Sequence, residues 1–198
     1  MNDSQHSIKR GSVLIAGGGI GGMQAALDLA DSGFKVHMIQ RESSIGGTMA
    51  MLDKTFPTGD CSMCMISPKM VEVGRHPNIE LHTLADVEAV SGEPGDFTVT
   101  VRQQPRFVIP ERCTGCGACV EACPVTLPDE MDGKIGGTRK LIHMPFPQAV
   151  PNVVVLDPDC RHGRMQDKGA CVGGCVVDCS QCRECPIALC LKACQKEG

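Results

Sequence analysis

Four cysteines in the middle of the chain have the spacing of metal ligands. Cys113, Cys116, Cys119 and Cys123 follow the pattern C-x2-C-x2-C-x3-C, and Pro124 comes directly after them. Short loops with glycine allow three thiolates to converge on one cubane of iron and sulfide, and the fourth cysteine ligates the other cluster in two-cluster proteins. A structural zinc site more often has two separated cysteine pairs. The spacing therefore predicts iron–sulfur clusters, whose chemistry is electron transfer.

A second group of cysteines lies between residues 160 and 194. Its spacings fit ligation from a helix or a loop, but they select no unique set of four. Together with Cys123, these cysteines predict two [4Fe-4S] clusters, and three are arithmetically possible. The alternative is that some of them pack as small hydrophobic side chains. The candidate ligands in this group are Cys160, Cys182, Cys185, Cys190 and Cys194.

A glycine-rich turn near the start of the chain has the pattern of a phosphate-binding loop. The apolar run at residues 12–16 predicts a buried parallel strand that leads into G-x-G-x-x-G. A helix is predicted at residues 23–32, ending at Gly33, and a second strand at residues 34–39. The helix N-terminus would direct amides at a pyrophosphate, although a tight turn without a ligand is the alternative. The predicted contacts with a dinucleotide are Gly17, Gly19, Ile20, Gly21 and Gly22.

The residue after the second strand departs from the dinucleotide-binding pattern. An acidic side chain is expected there to bind the ribose, but the chain has Gln40, with Glu42 two positions later. A neutral amide is a poorer partner, because charge-assisted hydrogen bonds are roughly twice as strong. Residues 42–47 resemble the acidic-x3-Gly-Gly sequence of flavin enzymes with two dinucleotide domains, which favours FAD over NAD. The further predicted cofactor contacts are Gln40, Arg41, Gly46 and Gly47.

Cys61 and Cys64 form a C-x-x-C pair between the glycine turn and the cluster motif. The spacing is compatible with a redox dithiol or with half of a metal site near the flavin. It is equally compatible with two structural thiols in a loop. The sequence leaves these alternatives open.

The sequence predicts both helices and strands for the segments that position these residues. A short helix is predicted at residues 68–74, with Ser67 as its N-cap and Pro68 at its first position. A strand is predicted at residues 79–83, and a hairpin within residues 87–102. This order predicts an α/β chain in which the helices connect the strands of a sheet.

Composition limits the classes of function. The chain has 198 residues, 14 cysteines, no Trp and no Tyr, so we expect clusters to replace part of an aromatic core. The net charge of −4 argues against nucleic acid as a partner. No signal peptide and no apolar run near the roughly 20 residues of a membrane span is visible, and we expect a cytoplasmic protein. Neither a Ser/His/Asp arrangement nor paired carboxylates are apparent, which argues against hydrolysis.

Long stretches of the sequence are similar to one family. They include AGGGIGGMQAALDLADSGFKV at residues 16–36, TFPTGDCSMC at residues 55–64, SPKM at residues 67–70 and VGRHP at residues 73–77. These blocks resemble the flavin subunit of heterodisulfide reductases, which is their A subunit, and its relatives in quinone-interacting membrane-bound oxidoreductase complexes. The resemblance covers essentially the whole chain. It implies a thioredoxin-reductase-like FAD domain into which a ferredoxin-like domain is inserted.

The resemblance implies an organisation in two parts. Residues 1–105 would form a Rossmann-like FAD-binding half-domain, and residues 106–198 a ferredoxin-like α+β iron–sulfur domain. The FAD domain would be incomplete, because such a domain needs a returning segment after the insertion. We therefore expect either that another polypeptide completes it or that the sequence is an N-terminal portion of a longer protein.

Two functions are compatible with these features. In the first, the chain is an electron-transfer subunit that relays electrons between FAD and four-iron clusters within a heterodisulfide-reductase-like complex. The resemblance implies that flavin-based electron bifurcation is the larger activity. In the second, the FAD site is vestigial, and the chain is a ferredoxin-like adaptor or assembly subunit that docks by its N-terminal half.

Overall fold

The computed structural model describes residues 11–123, 126–129 and 137–156. The chain divides into two compact units, Met1–Gln104 and Pro105–Gly198. Helices and strands occur in both units, which confirms the predicted mixture of α and β structure. Within the described residues, no helix has the length and apolar character that crossing a membrane requires.

A three-stranded parallel sheet forms the centre of the first unit. Its strands are β1 (Ser12–Ala16), β2 (Lys35–Gln40) and β3 (Ile79–Thr83), with β2 in the middle. Helices α1 (Ile20–Asp31) and α2 (Ser62–Arg75) lie between successive strands in the sequence. Parallel strands need such crossovers, because the chain must return to the same end of the sheet before the next strand begins. The carboxyl end of β1 leads directly into the glycine turn.

The core of the first unit is built from β2 and the two helices. Val36 and Met38 of β2 are fully buried, and α1 and α2 contact each other and the sheet. Buried positions on the helices recur at the spacing of one helical face. Full burial of a side chain of this size is worth about 1.5–3 kcal/mol. Methionine and aliphatic residues do this packing, and those on the helices are Met23, Ala26, Leu27, Ala30, Ile66, Met70 and Val73.

Helix α1 begins at the glycine turn and ends where the sequence predicts. It starts at Ile20, three residues before the predicted start, because the last two glycines of the turn form its first turn. At its end, Gly33 has a φ of 88° and donates its N–H to the carbonyl of Ala30. Phe34 donates to the carbonyl of Leu29 at 3.1 Å. This pair of bonds is the Schellman motif, which requires a left-handed residue and favours glycine.

Helix α2 is longer than the sequence predicts. Its N-cap is Cys61, and Pro68 lies inside it, so the prediction of Ser67 as N-cap and Pro68 as first residue is wrong. Proline has no N–H, so the usual helical bond to the carbonyl of Cys64 cannot form. The buried face of α2 offsets this loss. The cap residue that starts the helix is a cysteine, which is outside the group of residues usually found there.

The predicted hairpin is present and longer than expected. Strand β4 (Ala85–Glu93) pairs with the antiparallel strand β5 (Asp96–Gln103). Gly95, in the two-residue turn between them, has a φ of 97°. The pairing is irregular between Val87 and Ala89, where the register shifts. The run of β-branched residues at positions 98–101 and the Pro-Gly turn both favour a hairpin here.

The described part of the second unit consists of short elements. Helix α3 (Ala118–Ala122) carries part of the cysteine motif. Strand β6 (Thr126–Pro128) pairs with β7 (Thr138–Lys140), and β8 (Ile142–His143) pairs with β9 (Val155–Leu156). Both pairs are antiparallel. Such short pairs are marginal alone, so their stability depends on the core that they cover.

Candidate cofactor and metal sites

The glycine turn after β1 has the geometry that a close backbone approach requires. Gly17 has a φ of 108° and donates its N–H to the carbonyl of Ile39 at 2.8 Å. A Cβ added to Gly22 would overlap the carbonyl oxygen of Gly17. Any larger residue at position 22 would therefore push the start of α1 away from β1. The first and third glycines of the motif are thus explained by local geometry alone.

The N-terminus of α1 is open to a ligand. Its N-cap is Gly19, which has no side chain to accept a hydrogen bond, and the first turn contains no acidic residue. The N–H groups at the start of a helix have no intrahelical acceptor, because the first such bond here runs from Met23 to Gly19. Cβ atoms added at Gly19 and Gly21 would meet nothing within 4 Å. Unpaired amides beside open space fit the pyrophosphate of a dinucleotide.

The two glycine motifs predicted from the sequence meet at this turn. Gly46 donates its N–H to the carbonyl of Gly18 at 2.8 Å. Gly47 has a φ of 58°, and a Cβ added there would lie 3.1 Å from the Cα of Gly19. Fully buried Ile45 packs against Gly18, where an added Cβ would lie 2.5 Å from the Ile45 Cγ2. Residues 45–47 therefore form a second wall of the same candidate site.

The side chain of Gln40 forms a hydrogen bond with the backbone of the glycine turn. Its Oε1 accepts the N–H of Gly18 at 2.6 Å, and its Nε2 donates to the carboxylate of Glu42. The two partners fix the orientation of the amide, since one is a donor and the other an acceptor. The side chain is only 5% exposed. Both ends of the Gln40 amide are thus engaged within the protein, and the exposed carboxylate at the end of β2 belongs to Glu42.

Arg41 points to the hairpin. Its guanidinium lies 3.1 Å (Nε) and 3.4 Å (Nη2) from the two carboxylate oxygens of Asp86 on β4. The Arg41 side chain is 72% exposed, so this ion pair contributes little to stability. A contact between Arg41 and a cofactor stays a prediction.

The cysteine motif of the second unit is shaped by two glycines. Gly115 has a φ of 71°, and a Cβ added there would lie 3.1 Å from the Nδ2 of Asn152. Gly117 has a φ of 80° and is the N-cap of α3, where its carbonyl accepts the N–H of Val120 at 2.8 Å. These left-handed residues turn the chain sharply between Cys113 and Cys119. Such turns are what a loop needs to present several thiols to one side.

The four cysteines differ in burial. Cys123 is 1% exposed within an apolar core, Cys113 and Cys119 are partly buried against that core, and Cys116 is exposed. A donor set made only of thiols fits an iron–sulfur cluster. The different surroundings of Cys123 agree with a fourth cysteine that serves a second cluster. The other buried members of this core are Leu127, Leu141, Ile142, Val154 and Leu156.

Five of the predicted ligands fall outside the described residues. Their predicted role as cluster ligands, and the choice between two and three clusters, therefore stay predictions. These residues are Cys160, Cys182, Cys185, Cys190 and Cys194.

The structure brings Cys61 and Cys64 into direct contact. The Cys64 thiol donates a hydrogen bond to the Cys61 sulfur, with 2.7 Å between the Sγ atoms. The backbone N–H of Cys64 also donates to the Cys61 Sγ, at 3.3 Å. Both residues are exposed at the start of α2. They are a geometrically paired dithiol, separate from the cysteine motif of the second unit.

A group of three polar side chains that the sequence did not indicate lies on the sheet. His37 on β2 and Glu80 and His82 on β3 place their donor atoms within 4.8 Å of one another. His37 and Glu80 are register partners, and His82 follows two positions later on the same face. Lys35 pairs with Glu80 at 3.3 Å, and this bond lowers the pKa of the Glu80 carboxyl. Because His37 is distant in sequence, only the register of the parallel strands could have shown this grouping.

Comparison with known families assigns each unit to a cofactor class. The model of an FAD dependent oxidoreductase matches residues 12–59, which contain the glycine turn and Gly46–Gly47. The model of a 4Fe-4S binding domain matches residues 106–125, which contain the cysteine motif. The predicted cofactors, FAD and four-iron clusters, are confirmed by these matches. The class defined by the two units is that of flavin and iron–sulfur oxidoreductases.

Comparison with curated proteins finds several relatives of one kind, the A subunits of heterodisulfide reductases. The chain is 58% identical over 146 residues to the first iron-sulfur A subunit of the CoB–CoM heterodisulfide reductase of Methanopyrus kandleri. It is 55% identical over 146 residues to the A subunit of the H(2):CoB-CoM heterodisulfide,ferredoxin reductase of Methanothermobacter marburgensis. It is also 55% identical over 148 residues to the iron-sulfur A subunit of the CoB–CoM heterodisulfide reductase of Methanocaldococcus jannaschii.

These alignments confirm the predicted resemblance. They cover 74–75% of this chain and 22% of each of the three relatives. Over the shared residues, the chain is a relative of the heterodisulfide reductase A subunits. It spans about a fifth of the length of the curated relatives that it matches.

Proposed function

We propose that this chain is the electron-transfer part of a heterodisulfide-reductase-like oxidoreductase, relaying electrons between FAD and four-iron clusters. The observation that carries the proposal is the hydrogen bond from Gly46 to Gly18 of the glycine turn. This bond places residues 45–47 beside the open N-terminus of α1, where a ligand could bind. The same chain carries a thiol-only motif in its second unit. A relay needs both sites, and the relatives named above are parts of reductases.

In this proposal, the first unit holds the adenosine and pyrophosphate part of FAD. The amides of Ile20, Gly21 and Gly22 would receive the phosphates, since helix N-termini favour anions. Gln40 would hold Gly18 in position, and the exposed carboxylate of Glu42 would be available to a ribose hydroxyl. Gly46 and Gly47 would line the opposite side. FAD, when bound, supplies a carrier that exchanges electrons in pairs or singly.

The second unit would hold the clusters. Cys113, Cys116 and Cys119 would ligate one cluster, and Cys123 would contribute to another. The buried surroundings of Cys123 would exclude water, and burial and hydrogen bonds to sulfur are what tune a cluster's potential. The further ligands proposed are Cys160, Cys182, Cys185, Cys190 and Cys194.

The larger assembly is part of the proposal. We assign residues 1–105 to a Rossmann-like, thioredoxin-reductase-like FAD domain and residues 106–198 to a ferredoxin-like insertion. The partners would be other subunits of a heterodisulfide-reductase-like complex, and a further polypeptide segment would complete the flavin site. Flavin-based electron bifurcation would be the activity of the whole assembly, with a disulfide, a quinone or another low-potential acceptor receiving electrons. The place of action would be the cytoplasm, where thiols stay reduced.

One observation favours a second candidate function. The amide of Gln40 is bonded at both ends, to Gly18 and to Glu42, and the residue is only 5% exposed, so little of the amide is accessible to a ribose hydroxyl. If Glu42 does not replace it, the site is vestigial, and the chain is a ferredoxin-like adaptor or assembly subunit. Flavin-free protein with a full complement of iron would support this candidate.

The experiment that tests the relay compares two glycine variants of the whole chain, prepared anaerobically with iron, sulfide and FAD in the complex that completes the flavin site. Gly22→Ala would overlap the backbone of Gly17, so we expect flavin affinity to fall by at least about tenfold, or about 1.4 kcal/mol. Gly11→Ala adds a Cβ that meets nothing within 4 Å, and it should bind flavin as the natural chain does. Iron content should be the same in both. Equal flavin binding by the two variants would contradict the proposal.

A further inference from the structure

Cys61 and Cys64 have no part in the relay proposed above, yet their sulfur atoms lie only 2.7 Å apart. Both side chains are exposed, so a small molecule or a partner can reach them. Two cysteines separated by two residues at the start of a helix can form a disulfide within one turn. The pair therefore has the proximity and the access that redox chemistry needs.

The backbone holds this pair in place. Cys61 is the N-cap of α2, and its sulfur accepts the N–H of Cys64 at 3.3 Å. Cys61 also forms an isolated antiparallel bridge with Lys54. Ser62 is fully buried and donates its hydroxyl to the carbonyl of Leu52 at 2.9 Å. The geometry of the two sulfurs is thus set by the loop before α2.

A metal site is less well supported at this position. Zinc sites in proteins use three or four protein ligands. In the part of the chain that the structure describes, the three side chains that could hold a metal ion together are His37, Glu80 and His82, and neither Cys61 nor Cys64 belongs to that group. Two thiols in contact with each other, with no third ligand beside them among the described residues, have the arrangement of a redox dithiol.

We propose that Cys61 and Cys64 are a redox-active dithiol that is converted to an intramolecular disulfide by exchange with an external disulfide. The Cys61 thiolate attacks one sulfur of the external disulfide and releases one thiolate, which leaves a mixed disulfide on Cys61. The Cys64 thiolate then attacks the Cys61 sulfur and releases the second thiolate. Two protein thiols are oxidised and one external disulfide is reduced to two thiols, which take up the two protons lost by the protein.

Cys61 is the attacking residue for a physical reason. The hydrogen bond from the Cys64 thiol, with the backbone N–H of Cys64, lowers the pKa of Cys61. The same thiol–thiol bond raises the pKa of Cys64. A helix N-terminus also favours a thiolate at its cap, as it favours other anions. The first sulfur to ionise is therefore the one at the cap, and the second remains protonated until the mixed disulfide has formed.

The test uses the whole chain with its clusters reconstituted anaerobically, equilibrated with mixtures of oxidised and reduced glutathione. Trypsin releases residues 55–69, a peptide in which Cys61 and Cys64 are the only cysteines. Mass spectrometry after alkylation then counts free thiols in this peptide alone. We expect one transition from two alkylated cysteines to an internal disulfide. Two alkylated cysteines at every glutathione ratio would overturn the proposal.

Two single variants test the order of attack. In Cys64→Ser, the serine hydroxyl can still donate to Cys61, and glutathione should accumulate on Cys61 as a stable mixed disulfide. In Cys61→Ser, the remaining Cys64 should form the adduct at least about tenfold more slowly, because its thiolate fraction is smaller. Equal rates would overturn the assignment of Cys61. Denaturing the variants in guanidinium chloride should abolish the difference in rate, since the geometry of the N-cap is then lost.

A cluster or zinc ligand at this site would give a distinct result. The two thiols would then resist both alkylation and glutathione in the prepared protein and would react only after a chelator removes the metal. That outcome would overturn the dithiol assignment. The test does not involve FAD, so a failure here leaves the proposed relay intact, and a failure of flavin binding leaves the dithiol intact.

Discussion

At the scale of single residues, the cofactor site depends on Gln40. The sequence pattern leads one to expect a carboxylate at this position that faces a ribose, but the side chain is turned inward and holds the N–H of Gly18. Glu42 accepts a bond from the same amide, so a negative charge stays near the end of β2. A carboxylate thus lies two positions from the departure from the motif, and its bond to Gln40 is a contact that the pattern alone could not show.

Replacing Gln40 should destabilise the glycine turn. In Gln40→Leu, the buried N–H of Gly18 loses its acceptor, and such a loss costs about 1–3 kcal/mol. We expect the free energy of unfolding, measured by chemical denaturation of the whole chain, to fall by that amount. Gln148→Leu is the matched control, because Gln148 is exposed and its replacement should cost less than about 0.5 kcal/mol. Equal effects of the two changes would show that Gln40 does not support the turn.

The reactivity of Cys61 should depend on pH in a predictable direction. Because the bond from the Cys64 thiol lowers the pKa of Cys61, its thiolate persists to lower pH than that of an ordinary cysteine. The folded chain is alkylated at pH values from 5 to 10, and the rate at each cysteine is then measured in the released 55–69 peptide. The rate should rise for Cys61 at a lower pH than for Cys64, whose pKa is raised. Cys64→Ala removes the donor and should move the Cys61 profile to higher pH. An unchanged Cys61 profile in that variant would show that the thiol pair does not interact.

At the scale of elements, the periodic segments were predicted well and the irregular ones were not. Strand β1 lies at the predicted apolar run, strand β3 lies at the predicted residues 79–83, and the hairpin forms around the Pro-Gly turn. The start of α2 was missed, because Pro68 is a common first residue of a helix and a rare interior one. Burial of one face of α2 overrode this local preference. Similarly, the meeting of Gly46 with Gly18 is a tertiary contact that sequence spacing does not encode.

Removing the proline from α2 should stabilise the chain. Pro68→Ala restores an N–H that can bond to the carbonyl of Cys64, and an interior proline costs about 3 kcal/mol relative to alanine. We expect a gain of about 1–3 kcal/mol in the free energy of unfolding, reduced by the greater freedom of the unfolded chain. Pro94→Ala, in the hairpin turn, restores no helical bond and should give no gain. Destabilisation by Pro68→Ala would mean that the proline is needed for the shape of α2.

At the scale of the whole molecule, two units of different composition carry two kinds of redox site. The first unit contributes a glycine-lined candidate site for an anion and a pair of thiols in contact, and the described part of the second unit contributes the cysteine motif around a small apolar core. The motifs predicted both cofactor classes, because glycine and cysteine spacings directly reflect the shapes of pyrophosphate and cubane clusters. The assignment of ligands after Cys123 could not be predicted, because closely spaced cysteines allow several sets of four.

The most direct measurement of the central claim is the content of acid-released FAD, iron and acid-labile sulfide per chain after strictly anaerobic preparation. The account predicts one FAD and about eight iron atoms with an equal amount of sulfide, or about twelve if a third cluster forms. Electron paramagnetic resonance of the reduced protein should show reduced four-iron clusters. Colourless protein that contains zinc or no metal, and that binds no flavin, would contradict the account.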